Sequence, residues 1–229
     1  MGDSSDMVRA RSAFLEAGHL APVAAAVAQA AARTAARTAS PGALAEIGCG
    51  TGHYLRATYD HLASSGRPPD GAYGFDLSKA AAAHASRRNR DLQFAVADVE
   101  SQIPLLDAAA TVLLSVFAPR PAAECARVLA PGGALVAAFA TPRHLHGLRS
   151  RWGLLEVGPD KLARLSERLA GPFGPPVGHT IEYEIELAPA DAERLVSMGP
   201  NARHGGVPGP IAEATREQVS VTVARFERT

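Results

Sequence analysis

The sequence is poor in cysteine and lysine. It has Cys49 and Cys125 only, and Lys79 and Lys161 are its only lysines, the remaining basic residues all being arginine. Two cysteines that are not at CxxC spacing exclude a cysteine-based zinc site within these residues. In a reducing compartment they read as small buried side chains and not as a disulfide. Net charge is absent too, with 23 basic and 23 acidic residues, so overall charge cannot drive strong non-specific binding to nucleic acid, although a local basic patch can exist. No apolar run reaches the length of a membrane span. The start, Met1-Gly2-Asp3-Ser4-Ser5-Asp6, is acidic and polar, unlike a signal peptide, which points to the cytoplasm. No internal repeat is found.

What is present is one globular chain. Hydrophobic residues make up 47% of its 229 positions and mean hydropathy is near zero, enough for one substantial core. Its organising stretch is Leu44-Ala45-Glu46-Ile47-Gly48-Cys49-Gly50-Thr51-Gly52. A short apolar run with an acid is followed by glycines at alternate positions, and His53, Tyr54 and Leu55 then start a segment with helical spacing. That is a strand, a tight turn and a helix start. Glycine allows positive φ and close approach of a ligand to the backbone, and the helix start offers free N–H groups. The spacing is GxGxG, not the dinucleotide GxGxxG. It looks like the first motif of the class I S-adenosylmethionine (SAM) methyltransferases.

The rest of the chain falls into place around this turn. Before it, Asp6 to Gly18 and Pro22 to Arg37 read as helices, the second rich in alanine and suited to close packing on a sheet. Ala43–Ile47 is the first strand, and the helix after the glycines runs to Ser64. The second strand, Ala72 to Phe75, ends in Asp76, about 20 residues past the turn, where a carboxylate can accept from both ribose hydroxyls. Leu77 would pack near an adenine, and Ser78 caps a helix to Arg88. The third strand, Leu92 to Val96, leads into Ala97-Asp98-Val99, the usual methyltransferase position for bonding the adenine amino group. Thr111 to Phe117 is a continuous apolar run, hence a buried strand, and ends in Phe117-Ala118-Pro119-Arg120. A helix, Pro121 to Leu129, and an Ala130-Pro131-Gly132-Gly133 turn precede the fifth strand, Ala134 to Phe139.

Strict βαβαβ order implies a doubly wound parallel sheet, with ligands at the carboxyl ends of its strands. Thr141-Pro142-Arg143-His144-Leu145 leads into a helix to Trp152, further helices are expected from Asp160 to Ala170 and from Ala190 to Met198, and strands from His179 to Leu187 and from Gln218 to Phe226. Two final strands match the seven-stranded methyltransferase plan, whose last strand is antiparallel. Residues 1–40 would form a helical segment packed on the cofactor site. Residues 41–229 would form the SAM-dependent methyltransferase domain, with a substrate-side insertion around 141–176 and a loop at 199–210.

Beyond these general motifs, the chain resembles the bacterial 23S rRNA (guanine-N1)-methyltransferases, which include the tylosin- and mycinamicin-resistance enzymes of antibiotic producers. The residues that carry the resemblance are Asp6-Met7-Val8-Arg9-Ala10-Arg11, Phe14-Leu15-Glu16-Ala17-Gly18-His19, Phe117-Ala118-Pro119-Arg120, Pro142-Arg143-His144-Leu145 and Ser197-Met198-Gly199-Pro200. It implies SAM as cofactor, with S-adenosylhomocysteine as product, and no metal in this chain. It places Leu20, Glu46, Gly48, Gly50, Thr51, Gly52, Asp76, Leu77, Asp98, Val99 and His144 around the cofactor, His144 at its methionine end. The partner it implies is a hairpin of 23S rRNA, with macrolide resistance or routine rRNA modification as the role. No membrane is involved, and a homodimer is compatible.

The chain departs from the family pattern in three places. The family begins with a four-cysteine zinc module ahead of the Asp-Met segment, and this sequence starts where that module would end. Leu20 stands where Tyr often follows Gly-His. Asn201-Ala202-Arg203-His204 stands where a Trp is usual, so a stacking residue would be missing there. A chain genuinely starting at Met1 would favour a small-molecule acceptor as in natural-product tailoring, and a SAM-binding protein without catalysis is a further alternative. His204 and Glu156 are candidate bases that the sequence alone does not position, so no catalytic residue is named. Arg143 to Trp152 is a basic stretch that could meet phosphates or form a solvated helix face with Trp152 in a core seam. Glu182, Glu184 and Glu186 should lie away from any RNA-binding face.

Overall fold

The computed structural model describes residues 2–38, 40–199 and 211–229. Its elements are α1 (Ser5–Glu16), α2 (Ala21–Ala35), β1 (Ala43–Ile47), α3 (His53–Ser64), β2 (Gly71–Asp76), α4 (Lys79–Arg88), β3 (Gln93–Val96), β4 (Ala110–Val116), α5 (Ala122–Val128), β5 (Leu129–Ala140), α6 (His146–Trp152), α7 (Lys161–Leu169), β6 (Val177–Leu187), α8 (Pro189–Ser197) and β7 (Thr215–Glu227). The strands form one seven-stranded sheet in the order β3-β2-β1-β4-β5-β7-β6. β1 to β5 are parallel, and β7 runs antiparallel to both β5 and β6.

Each local choice has a physical cause. β4 lies at the sheet's centre, and every one of its residues is buried, as its unbroken apolar run demands. Covering such a Val or Leu stabilises the fold by roughly 1.5–3 kcal/mol per side chain. β6 is an edge strand with β7 as its neighbour, so its apolar and acidic residues alternate between core and solvent. Pro22 sits in the first turn of α2, where its missing N–H costs nothing. The alanines of α2 bring that helix close to the sheet, with Val23, Val27 and Ala31 fully buried. The Ser78 hydroxyl accepts from the Ala81 amide at 3.1 Å and starts α4.

The boundary that differs most from the sequence reading is the start of β5. β5 starts at Leu129, which pairs with Ala110; pairing then jumps to Val112–Ala134, so Ala130-Pro131-Gly132-Gly133 is a bulge inside the strand and not a turn before it. α6 begins at His146, after the lead-in read from the sequence: Leu145 takes the left-handed conformation at φ 52° and keeps residues 141–145 out of the helix.

The sheet has a core on each face. One is built with α1, α2, α3 and α8, and the other with α5 and α7. Cys49 and Cys125 are free and buried. No helix among the described residues is long and apolar enough to cross a membrane.

Candidate functional site

The carboxyl ends of β1, β2, β3 and β4 open onto one cavity of about 530 Å³, within the range of small-ligand sites. Its wall includes Leu20, Gly48, Gly50, Thr51, Asp76, Leu77, Asp98, Val99 and His144. Glu46 and Gly52 are not part of that wall.

After β1 the chain turns through Gly48, Gly50 and Gly52 at φ 63°, 53° and 78°. A side chain at Gly48 would come within 2.5 Å of Ala118 Cβ, and one at Gly52 within 2.9 Å of the Phe94 ring. Only glycine meets both demands, positive φ and close packing. The turn is tied to β2 by the Cys49 amide, which donates to Phe75 O at 3.0 Å.

Glu46 corrects an expectation. Its carboxyl is buried and accepts from the Leu55 amide at 2.9 Å, in the first turn of α3. Burial pushes its pKa well above the usual carboxylate range, opposed by the Leu55 bond and assisted by the nearby Asp76 charge. It therefore fixes the helix that follows the glycines instead of reaching the cavity.

Asp76 does reach the cavity. One oxygen accepts from the Gly50 amide at 2.8 Å and the other from the Ser78 amide at 2.8 Å. The carboxylate thus couples the glycine turn to the start of α4. Leu77, beside it, is 49% exposed and offers an apolar face. Asp98 is exposed and accepts from the Glu100 amide at 3.1 Å and the Ser101 hydroxyl at 3.3 Å, while Val99 next to it is buried.

Across the cavity stand Phe117 and His144, their rings stacked at 6.1 Å. Phe117 follows β4 with φ 54°, an uncommon conformation for an aromatic residue, and is 45% exposed. The His144 Nδ1 accepts from the Ser220 amide at 3.2 Å, which puts the ring proton of the neutral imidazole on Nε2. Burial, then the charges of Arg149 and Lys161, lower its pKa to about 4.

The N-terminal elements supply wall residues that sequence reasoning did not place at the site. Arg11, Phe14 and Leu15 of α1 line the cavity, as do Asp3 and Tyr54. Arg11 belongs to the Asp-Met-Val-Arg-Ala-Arg segment, so a signal existed, but helical periodicity alone could not say which face meets the cavity. His19 is a packing residue: it bonds Asp191 at 3.1 Å and stacks obliquely on Phe14.

The basic stretch is only partly a surface feature. Arg149 is 6% exposed and its guanidinium donates to Pro142 O, so it cannot meet a phosphate. Arg143 is paired with Glu182, which also accepts from the Ser220 hydroxyl at 2.6 Å. The acidic series therefore starts alongside the basic stretch, and Glu182 offsets the charge of Arg143. Trp152 packs against the core, with the Arg151 guanidinium over its ring at 5.4 Å. Glu156 is exposed, 3.6 Å from Arg149. Residues 200–210, including His204 and most of the 199–210 loop, lie outside the described residues.

The cavity's charge indicates what it can hold. Among the described residues its wall carries Asp3, Asp76, Asp98 and Glu100 against the single arginine Arg11. Such a wall repels a pyrophosphate and fits a ligand bearing a cationic centre. Apolar surface at Leu77 and Val99, flanked by Asp76 and Asp98, fits a nucleoside. The residues present thus fit SAM, whose sulfonium is cationic.

Comparison with known proteins agrees. A family described as a methyltransferase domain matches residues 44–133. A protein of Micromonospora griseorubida assigned as a 23S rRNA (guanine-N1)-methyltransferase is 38% identical over 237 residues, covering 98% of this chain and 79% of that protein. The 23S rRNA (guanine(748)-N1)-methyltransferase of Streptomyces fradiae is 38% identical over 204 residues, covering 88% of this chain and 70% of its own length. Among solved structures, the YcgJ protein of Bacillus subtilis superposes with a TM-score of 0.54 at 16% identity, covering 86% of this chain and 95% of that one. A geranyl diphosphate methyltransferase in complex with GPP and sinefungin gives 0.53 at 14% identity, over 91% and 77%. These two establish the fold, and the two sequence relatives establish the kinship. The chain is a SAM-dependent methyltransferase and belongs to the 23S rRNA (guanine-N1)-methyltransferase family.

Proposed function

We propose that this chain methylates N1 of a guanine in a hairpin of 23S rRNA. The observation that carries the reading is the 38% identity spanning 98% of the chain to a relative assigned that activity. When bound, SAM supplies a sulfonium methyl group that the guanine N1 displaces in line. The protein's task is mainly alignment of the two reactants.

In this reading Asp76 accepts from the ribose hydroxyls and Asp98 from the adenine amino group, with Leu77 and Val99 against the adenine faces. Leu20 closes the apolar wall. The Gly48, Gly50 and Thr51 backbone surrounds the amino-acid end, where His144 presents its Nε2–H. With Nδ1 occupied by Ser220 and a pKa of about 4, His144 is a donor and not the group that receives the guanine N1 proton. Glu46 and Gly52 act indirectly, by fixing the start of α3. Phe117, exposed at the cavity mouth, is the surface on which a flipped-out base would stack. A ribosomal substrate places the protein in the cytoplasm, acting in macrolide resistance or routine rRNA modification.

The test is incubation with labelled SAM and 23S rRNA lacking the modification. Label confined to one hairpin is expected, with a reverse-transcription stop there because N1 lies on the pairing edge. No label in 23S rRNA, from protein that binds S-adenosylhomocysteine, would refute the reading.

A further inference from the structure

The cavity's charges leave one question about the ligand's zwitterionic end. An α-carboxylate must enter a wall that carries Asp3, Asp76, Asp98 and Glu100. Like charges placed together in a partly dehydrated site are destabilising, so the carboxylate needs a cation. His144 is not one at neutral pH. Burial lowers the pKa of His53, the other imidazole on the wall, away from the charged form.

Arg11 remains. Its Nη1 would lie 3.4 Å from a Cβ at Gly50, so the guanidinium overlies the glycine turn. It is held there from two sides, by Asp3 through Nη1 and by Met198 O through Nη2 at 2.8 Å. A guanidinium carries five N–H donors, so these contacts leave others for a ligand. A second observation points to the same place. Tyr54, at the start of α3, lines the cavity and is 7% exposed, and its hydroxyl has no hydrogen-bond partner among the described residues. Such an orphaned donor calls for a partner. Tyr54 is the second residue of α3, directly after the glycine turn that Arg11 overlies.

We infer that Arg11 and the Tyr54 hydroxyl form the subsite for the α-carboxylate of the cofactor, with α1 delivering the arginine over Gly50. The inference rests on the cofactor, not on the acceptor. It assigns a binding function to the Asp-Met-Val-Arg-Ala-Arg segment, which otherwise reads only as a covering helix.

The experiment is calorimetric binding of S-adenosylhomocysteine and of its decarboxylated analogue, which lacks only the carboxylate, to the wild type, Arg11→Gln and Tyr54→Phe. The wild type should prefer the carboxylate-bearing ligand. Arg11→Gln should weaken S-adenosylhomocysteine about 10–100-fold, as loss of charge-assisted hydrogen bonds predicts, and leave the analogue within about threefold. Tyr54→Phe should weaken the first ligand about 3–10-fold with the same selectivity. Equal loss for both ligands would mean that Arg11 only holds the fold together, and overturns the inference. So would a wild type that does not distinguish the two. If Arg11→Gln fails to fold, Tyr54→Phe with the same ligand pair decides. No RNA enters this experiment, so its failure leaves the acceptor assignment standing.

Discussion

Replacing Asp76 with alanine tests the site and the fold in one step. The carboxylate accepts two backbone amides at 2.8 Å, from Gly50 and Ser78. Removing it leaves both without their acceptor in a partly buried location. An unsatisfied buried donor costs about 1–3 kcal/mol, and some water access puts the pair at roughly 2–4 kcal/mol together. For a chain of this size that corresponds to a Tm loss of roughly 5–15 °C. Binding should suffer separately, because two ribose hydroxyls lose a charged acceptor. At about 1.5 kcal/mol or more each, affinity for S-adenosylhomocysteine should fall about 100-fold or further. Asp76→Asn keeps one oxygen acceptor and should fall between wild type and Asp76→Ala on both measures. Differential scanning calorimetry and titration calorimetry read the two effects. An Asp76→Ala protein that melts within a degree or so of wild type, or binds within about threefold, would show that the carboxylate is neither the clamp nor the ribose acceptor described above.

Glu46→Gln keeps an acceptor for Leu55 while removing the ionisable group. Because burial raises the folded-state pKa above 4.5, the stability Glu46 contributes is full below that value and lost as pH rises through the folded pKa. The wild type should therefore lose ground to Glu46→Gln above pH 4.5 by up to about 1.4 kcal/mol per pH unit, seen in melts from pH 5 to 8; a pH-independent difference contradicts this. His144 has the opposite sign: its lowered pKa means that the unfolded chain takes up a proton first as pH falls below 6.5. Stability should drop by up to about 3 kcal/mol between pH 6.5 and about 4, less in His144→Gln, and nitrogen NMR should show a neutral Nε2–H ring at pH 7. Phe117→Ala should leave S-adenosylhomocysteine affinity unchanged and lower methyl transfer to RNA about 5–100-fold, as loss of one stacking surface predicts; equal loss of both would place Phe117 in the cofactor site instead.

The sheet was legible because its signals are local. The apolar run of β4, the alternation of β6 and the glycines after β1 each declare their structure within a few residues. Asp76 and Asp98 could be placed because strand ends in such folds point one way. What escaped depends on distant partners. Glu46 resembles a cofactor ligand until the position of the Leu55 amide shows where its oxygen goes. Arg149 looks like part of a basic surface, yet its side chain turns inward to Pro142 O. Arg143 could not be matched to Glu182 without the pairing of β6 with β7. The Pro131-Gly132-Gly133 bulge keeps turn-forming residues inside a strand, which composition cannot distinguish from a true turn.

The placement of β7 also bears on how the molecule assembles. β7 follows β6 in the chain but lies inside it, so β6 has no seat on the sheet until β7 has docked against β5. β7 also carries Ser220, the partner that orients His144. Local contacts form early in folding and long-range pairings late. In refolding experiments, β1 to β4 should therefore gain amide protection before the His144 ring is fixed. Ability to bind S-adenosylhomocysteine should appear with that final docking event, and a ligand added earlier should hasten nothing until β7 is in place.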